Sequence, residues 1–237
     1  TAFYLRTAPP MSQPVAVVTG ASSGMGLAVT KHLVAKGWRV AMADIDADSG
    51  RKVAAEIGDQ VLFCRTDVTS YPQQASLFET AFAWGGDRLD LYAANAGIAD
   101  TQFLCNNDYR YDENGLRLPV SLQTLDVNLT AVIQGVWLFK HYARRNKVAG
   151  GKVVITSSSA GLYPMESDPI YTASKHALVG LTRALGPVLQ RQNIQVNAIC
   201  PAFVPTGLCP KEMLGRFPKE HMIPSSKTMA FLDRLWN

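Results

Sequence analysis

The stretch Val15-Ala-Val-Val-Thr-Gly-Ala-Ser-Ser-Gly-Met-Gly26 decides the fold. Its first five residues read as a buried strand, and apolar residues at helical spacing run from Gly24 to Lys36. Glycines at the junction let the backbone turn tightly and approach a pyrophosphate, whose charge is met by N–H groups at the positive end of the helix. A cofactor loop of Gly20, Ser22, Ser23, Gly24, Met25 and Gly26 is therefore expected. About twenty residues further on, Asp44 ends the next strand, VAMAD, where a carboxylate can accept hydrogen bonds from ribose hydroxyls. It would repel a 2′-phosphate, and the loop has no Lys or Arg to neutralise one, so NAD is favoured over NADP. Arg39 is the one basic residue nearby, and strand direction points it elsewhere.

Outward from this unit the rhythm repeats. Short apolar runs at Arg39–Ala43, Val61–Arg65, Leu89–Ala93, Lys152–Thr156 and Gln195–Ile199 join Val15–Thr19 as six expected parallel strands. Between them Asp48–Ile57, Pro72–Trp84, Leu122–Arg144 and Tyr171–Leu189 carry helical periodicity. The expected fold is one doubly wound α/β domain of Rossmann type over residues 12–237, preceded by an extension or remnant at 1–11, since Met11 could serve as the start. Two regions break the pattern. The polar stretch from Ile98 to Val120 reads either as a binding loop or as a surface insertion without a role in activity. After the helix-like Thr228–Trp236 no further strand follows, so the sheet looks clipped of a last strand.

Composition removes several function classes. The 23 Lys and Arg against 19 Asp and Glu give a net charge of +4, spread too evenly for a nucleic-acid or membrane surface. No run approaches the roughly 18 apolar residues of a membrane span, and the N-terminus lacks the pattern of a secretory signal. Cys64, Cys105, Cys200 and Cys209 have no CxxC spacing and read as free thiols of a cytoplasmic protein. His32, His141, His176 and His221 are scattered, so no metal site is expected, and no GxSxG elbow marks a hydrolase. Asp44, Asp46 and Asp48 resemble the start of a calcium loop, but Gly50 and Glu56 fall one place late; Asp46 and Asp48 read better as caps of the following helix.

The candidate chemistry sits in Tyr171-Thr-Ala-Ser-Lys175. At i and i+4 on a helix the phenol and the ammonium share a face, and a positive neighbour should lower the phenol pKa toward an acid/base catalyst's range. Upstream, Ser158 follows the strand KVVI at the sheet edge where α/β proteins place reactive groups.

Together these residues resemble the short-chain dehydrogenase/reductase family, and within it the NAD-dependent 15-hydroxyprostaglandin dehydrogenase-like members, from Val15 to Thr206. The further matches are Asp67-Val68, Asn95-Ala96-Gly97, Asn128 and Pro201 to Thr206. The resemblance implies that Tyr171 is the general base in oxidation, that Lys175 lowers its pKa and binds the nicotinamide ribose, that Ser158 bonds the substrate oxygen and that Asn128 holds a relay water. It implies Ile45 beside Asp44 at the ribose, Asp67 and Val68 at the adenine, Asn95, Ala96 and Gly97 along the cofactor, and Pro201, Val204 and Thr206 near the carboxamide. Substrate contacts fall to Ser158, Tyr171, Phe203 and Asp168, the last standing where the prostaglandin enzymes carry glutamine. Ala202 replaces the family's usual glycine.

The expected function is NAD-dependent oxidation of a hydrophobic secondary alcohol, or reduction of the matching ketone. Candidate walls are Leu162, Tyr163, Pro164, Met165, Phe203, Leu208, Met213, Leu214 and Phe217, unless some of them are core. Rival readings are an NADPH-dependent ketone reductase of secondary metabolism and a catalytically silent nucleotide-binding regulator. In relatives, the helices at Leu122–Arg144 and Tyr171–Leu189 pair across subunits, so a homodimer or homotetramer is expected.

Overall fold

The computed structural model describes residues 13–102, 104–105, 109–204 and 233. The expected extension at 1–11, Thr206, Leu208, Met213, Leu214, Phe217 and all of the Thr228–Trp236 segment but Asp233 lie outside them.

Six strands form one parallel sheet: β1 Val15–Thr19, β2 Arg39–Asp44, β3 Val61–Arg65, β4 Leu91–Ala94, β5 Gly151–Thr156 and β6 Ile194–Ile199, in the order β3-β2-β1-β4-β5-β6. Successive side chains of a strand point to opposite faces. Val15 and Val17 thus enter one core cluster, with Phe78, Phe139 and Leu178, while Ala16 and Val18 enter the other, with Leu33, Val40 and Met42. Covering both faces explains why β1 is apolar throughout instead of alternating. Helices α1 Gly24–Ala35 and α2 Ala47–Ile57 follow β1 and β2, and α3 Tyr71–Trp84 follows β3. Asp46 caps α2 by accepting from Asp48 and Ser49 N, whereas Asp48 pairs with Arg51 at 2.8 Å.

The single helix expected over Leu122–Arg144 is three segments: a short α4 Gln123–Leu125, a π-helical turn Asp126–Thr130, and α5 Ala131–Ala143. Apolar periodicity cannot reveal one widened turn, and such turns gather at functional sites. The expected start of β4 at Leu89 is also corrected. Both main-chain atoms of Leu89 bond to the Asn146 side chain, at 2.8 and 2.7 Å, so the ladder begins at Leu91. Helix α6, Pro169–Gln190, starts before Tyr171, because proline suits a first turn, where its missing N–H costs nothing.

Strand order reverses between β1 and β4, and a ligand crevice forms at such a switch point beyond the carboxyl ends. Behind it, α5 lies close against β4. A Cβ on Gly135 would sit 2.2 Å from the Tyr92 hydroxyl, whose ring is locked between Phe78 and Phe139. Gly135→Ala should therefore destabilise the protein by about 1–3 kcal/mol, a fall in Tm of roughly 2–12 °C by differential scanning calorimetry; an unchanged Tm would contradict this packing.

Candidate active site

A cavity of about 630 Å³ opens at the switch point. Of the residues expected to act, Gly20, Ser23, Gly24, Met25, Asp44, Ile45, Asp67, Val68, Asn95, Ala96, Gly97, Ser158, Tyr171, Lys175, Pro201 and Val204 line it. Ser22, Gly26, Asn128, Asp168 and Phe203 are not in the lining, and Thr206 is outside the described residues.

The nucleotide end is built on the turn between β1 and α1. The Thr19 hydroxyl accepts from Asn95 N and Ala96 N, both at 3.1 Å, and the Asn95 amide donates back to Thr19 O at 3.1 Å. Loop and β4 exit are thereby clasped. Gly26 is required by contact, since a Cβ there would stand 2.0 Å from Gly20 O. No side chain caps α1 and no acid occupies its first turn, so its amide dipoles remain available to an anion. The Ser22 hydroxyl is buried without a hydrogen-bond partner. An uncapped N-terminus, a partnerless hydroxyl and a glycine approach fit a dinucleotide pyrophosphate.

Asp44 accepts from Ser22 N at 3.0 Å and from Asp46 N at 3.1 Å. Both carboxylate oxygens are fixed, and each keeps a lone pair for a further donor. Arg39 lies with its guanidinium 3.8 Å from the Trp84 ring centre, which occupies it away from Asp44. Among the described lining residues, Lys175 is the sole Lys or Arg.

At the other end Tyr171 and Lys175 are both buried on one face of α6. Lys175 Nζ donates to Thr156 O at 2.9 Å and lies 5.4 Å from the Tyr171 ring centre. The Ser158 hydroxyl accepts from Ala160 N at 3.1 Å, and Ser158 lines the cavity together with Tyr171. Burial raises the Tyr171 pKa above its ordinary value, the polar Ser158 side chain opposes this, and the Asp168 carboxylate adds to it. That reverses the direction expected from the Tyr/Lys spacing alone. Desolvation outweighs a cation at this range, and the same desolvation pushes the Lys175 ammonium down to about 8, against the Cys200 sulfur nearby.

Asn128, fully buried in the π turn, donates to Ile98 O at 2.9 Å and to Ser174 Oγ at 3.2 Å, and accepts from Ile98 N at 2.9 Å. Asp168 bonds Ser167 Oγ at 2.6 Å. Sequence reasoning missed Thr66, Thr69, Thr156 and Ser157 in the cavity wall. Each adjoins a recognised motif, so following the strand exits by a residue or two would have found them. Gln123 and Val127 have no such signal: Val127 enters from the widened turn and Gln123 from the short α4 before it.

The family model described as short chain dehydrogenase matches residues 14–213. The chain is a short-chain dehydrogenase/reductase. As such it is an oxidoreductase with a nicotinamide-dinucleotide fold that acts on CH–OH groups. A short-chain dehydrogenase/reductase of Penicillium rubens is 34% identical over 224 residues, covering 89% of this chain and 74% of that protein. Human 15-hydroxyprostaglandin dehydrogenase [NAD(+)] is 34% identical over 233 residues, covering 92% and 81%. The fold matches Brucella melitensis 3-ketoacyl-(acyl-carrier-protein) reductase complexed with NADH at a TM-score of 0.80 and 23% identity, over 94% of this chain and 91% of that one. No helix among the described residues is long and apolar enough to cross a membrane.

The buried lysine of this dehydrogenase weighs on stability. Below about pH 8 both folded and unfolded chains carry the charge, and the folded chain bears its full desolvation cost. From pH 8 to the ordinary 10.5 the folded chain sheds the proton first, so the burden lifts. Lys175→Met should raise Tm most below pH 8, with the gain shrinking toward pH 10.5. A gain that grows with pH would contradict this assignment.

Proposed function

We propose that this short-chain dehydrogenase/reductase oxidises a hydrophobic secondary alcohol to a ketone with NAD as the preferred cofactor. The observation that carries the reading is that Ser158, Tyr171 and Lys175 line one cavity whose far end carries Asp44. NAD supplies a cationic hydride acceptor, and positive charge nearby favours the phenolate that burial disfavours. Ser158 donates to the alcohol oxygen and orients it. Tyr171 takes the hydroxyl proton, and in the reverse direction returns it. Lys175 holds the nicotinamide ribose and, through Asn128 and a water, links the phenol to solvent. The α1 N-terminus and the Ser22 hydroxyl take the pyrophosphate, Asp44 and Ile45 the ribose, and Asp67 and Val68 the adenine.

Asp44 and the NAD(+) in the human relative's name both favour NAD over the NADPH-linked reductase alternative. A silent regulator is disfavoured because Ser158, Tyr171 and Lys175 line one cavity, and Asn128 reaches the Tyr171 carbonyl through Ser174. Leu162 and Tyr163, directly after the serine turn, are 49% and 69% exposed and so are not core; they do not line the cavity itself, and as apolar surface next to Ser158 they are consistent with an apolar substrate. Asp168 and Phe203 remain proposed substrate contacts at the margin of the site, outside the cavity lining. Exposed Ile133 and Trp137, one turn apart on α5, with Val188 on α6, support a homodimer or homotetramer. Free thiols at Cys64, Cys105 and Cys200 suit a cytoplasmic site of action.

The reading is tested by offering aliphatic, benzylic and polycyclic secondary alcohols with NAD and recording NADH absorbance. At least one apolar alcohol should be oxidised, and faster with NAD than with NADP. Asp44→Asn keeps an acceptor for Ser22 N but removes the charge, so the NAD/NADP preference should fall about 10- to 100-fold. A silent panel, or a preference that ignores Asp44, would overturn the reading.

A further inference from the structure

Helix α6 opens with a gap in its own capping. Asp168 stands at the N-cap yet makes no side-chain bond to the first-turn amides. Such amides stay unsatisfied unless another group accepts from them. That group comes from a different connection of the fold. Asp100, in the segment that leaves β4, accepts from Ile170 N at 3.0 Å and from Tyr171 N at 2.7 Å. Asp168 reciprocates, its Oδ1 accepting from Asp100 N at 3.3 Å.

The carbonyl of Tyr171 is held as well. Ser174 Oγ donates to it at 2.6 Å and accepts from Asn128 Nδ2 at 3.2 Å. Asn128 in turn grips both main-chain atoms of Ile98. Both polar main-chain atoms of the tyrosine are therefore led, through side chains, to one stretch of chain at 98–100. The same stretch roots the long polar insertion, whose two ends are joined by Thr101 to Ser121 at 3.2 Å and by Thr124 to Ala99 O at 3.2 Å.

We propose that Asp100 is a positioning residue for Tyr171: its carboxylate replaces the missing helix cap and fixes where the phenol stands relative to Ser158 and the reacting alcohol. The inference rests on Tyr171 as the acid/base. A carboxylate is the suitable cap here, because charge-assisted bonds are the stronger ones and negative charge suits a helix N-terminus. The effect falls on turnover more than on binding, since a misplacement of about 1 Å at reacting groups can cost on the order of 100-fold in rate.

Three variants of the full chain separate positioning from general support. Asp100→Ala removes both acceptors, Asp100→Asn keeps one oxygen in place, and Asp100→Glu keeps the charge but moves it by one methylene. Hydrogen exchange of the first turn of α6 is followed by mass spectrometry, alongside NADH affinity by fluorescence and kcat and KM for the alcohol oxidised fastest in the panel. In Asp100→Ala the amides of Ile170 and Tyr171 should exchange about 10- to 100-fold faster and kcat should fall by a similar factor, while KM and NADH affinity stay within about threefold. Asp100→Asn should recover most of the rate, and Asp100→Glu should fall between. Unchanged kcat in Asp100→Ala, or in Asp100→Glu if the alanine variant does not fold, overturns the inference while leaving the functional reading intact. Equal losses of kcat, cofactor affinity and Tm in all three variants overturn it too. A panel silent in the parent protein sinks the functional reading instead.

Discussion

The clasp between Thr19 and Asn95 holds together the two strands whose adjacency makes this molecule what it is. Parallel order reverses between β1 and β4, and without a bond across their exits the crevice would splay. One hydroxyl accepting two amides, with a carboxamide donating back, brings the glycine loop and the β4 exit into a single rim. The Asp44 carboxylate extends that rim, because its bond to Ser22 N ties β2 to the loop. The Asn128 amide extends it the other way, to Ile98 and through Ser174 to helix α6. Each of these polar side chains is engaged mainly on main-chain atoms, which is how a loop-built site acquires a fixed geometry.

That rigidity lets the protein hold two titratable side chains in an unfavourable state. Tyr171 and Lys175 are both buried, and burial pushes the phenol up and the ammonium down, toward neutral forms of both. Neither is the form that spacing alone would suggest. Positive charge or hydrogen bonds added around the pair would favour the phenolate, the direction in which the Ser158 side chain already acts. Stability given up at the site is recovered in two apolar layers that cover both faces of the sheet.

The fold was legible because its signals are local and repeated. Apolar runs such as Val15–Thr19 and Val61–Arg65 match the observed strands, since strands buried on both faces leave an uninterrupted apolar trace. The cavity residues were legible for a related reason: most lie at strand exits next to glycines, where residue type is dictated by what the backbone must approach. What could not be read depends on pairing across long sequence separations. The π turn at Asp126–Thr130 answers to contacts with Ile98, and the true cap of α6 is Asp100, not its neighbour Asp168. The phenol pKa was misjudged because a spacing argument sees a cation at i+4 but not the desolvation around it.

The central claim is that Tyr171 moves the proton while the chain transfers hydride from a carbinol carbon. It is tested most directly with an alcohol deuterated at that carbon, following the label into the nicotinamide ring by mass spectrometry in the parent protein and in Tyr171→Phe. The account predicts label transfer in the parent, and in the variant NAD affinity within about threefold with transfer slowed on the order of 100-fold or more. Transfer at the parent rate in Tyr171→Phe would contradict it.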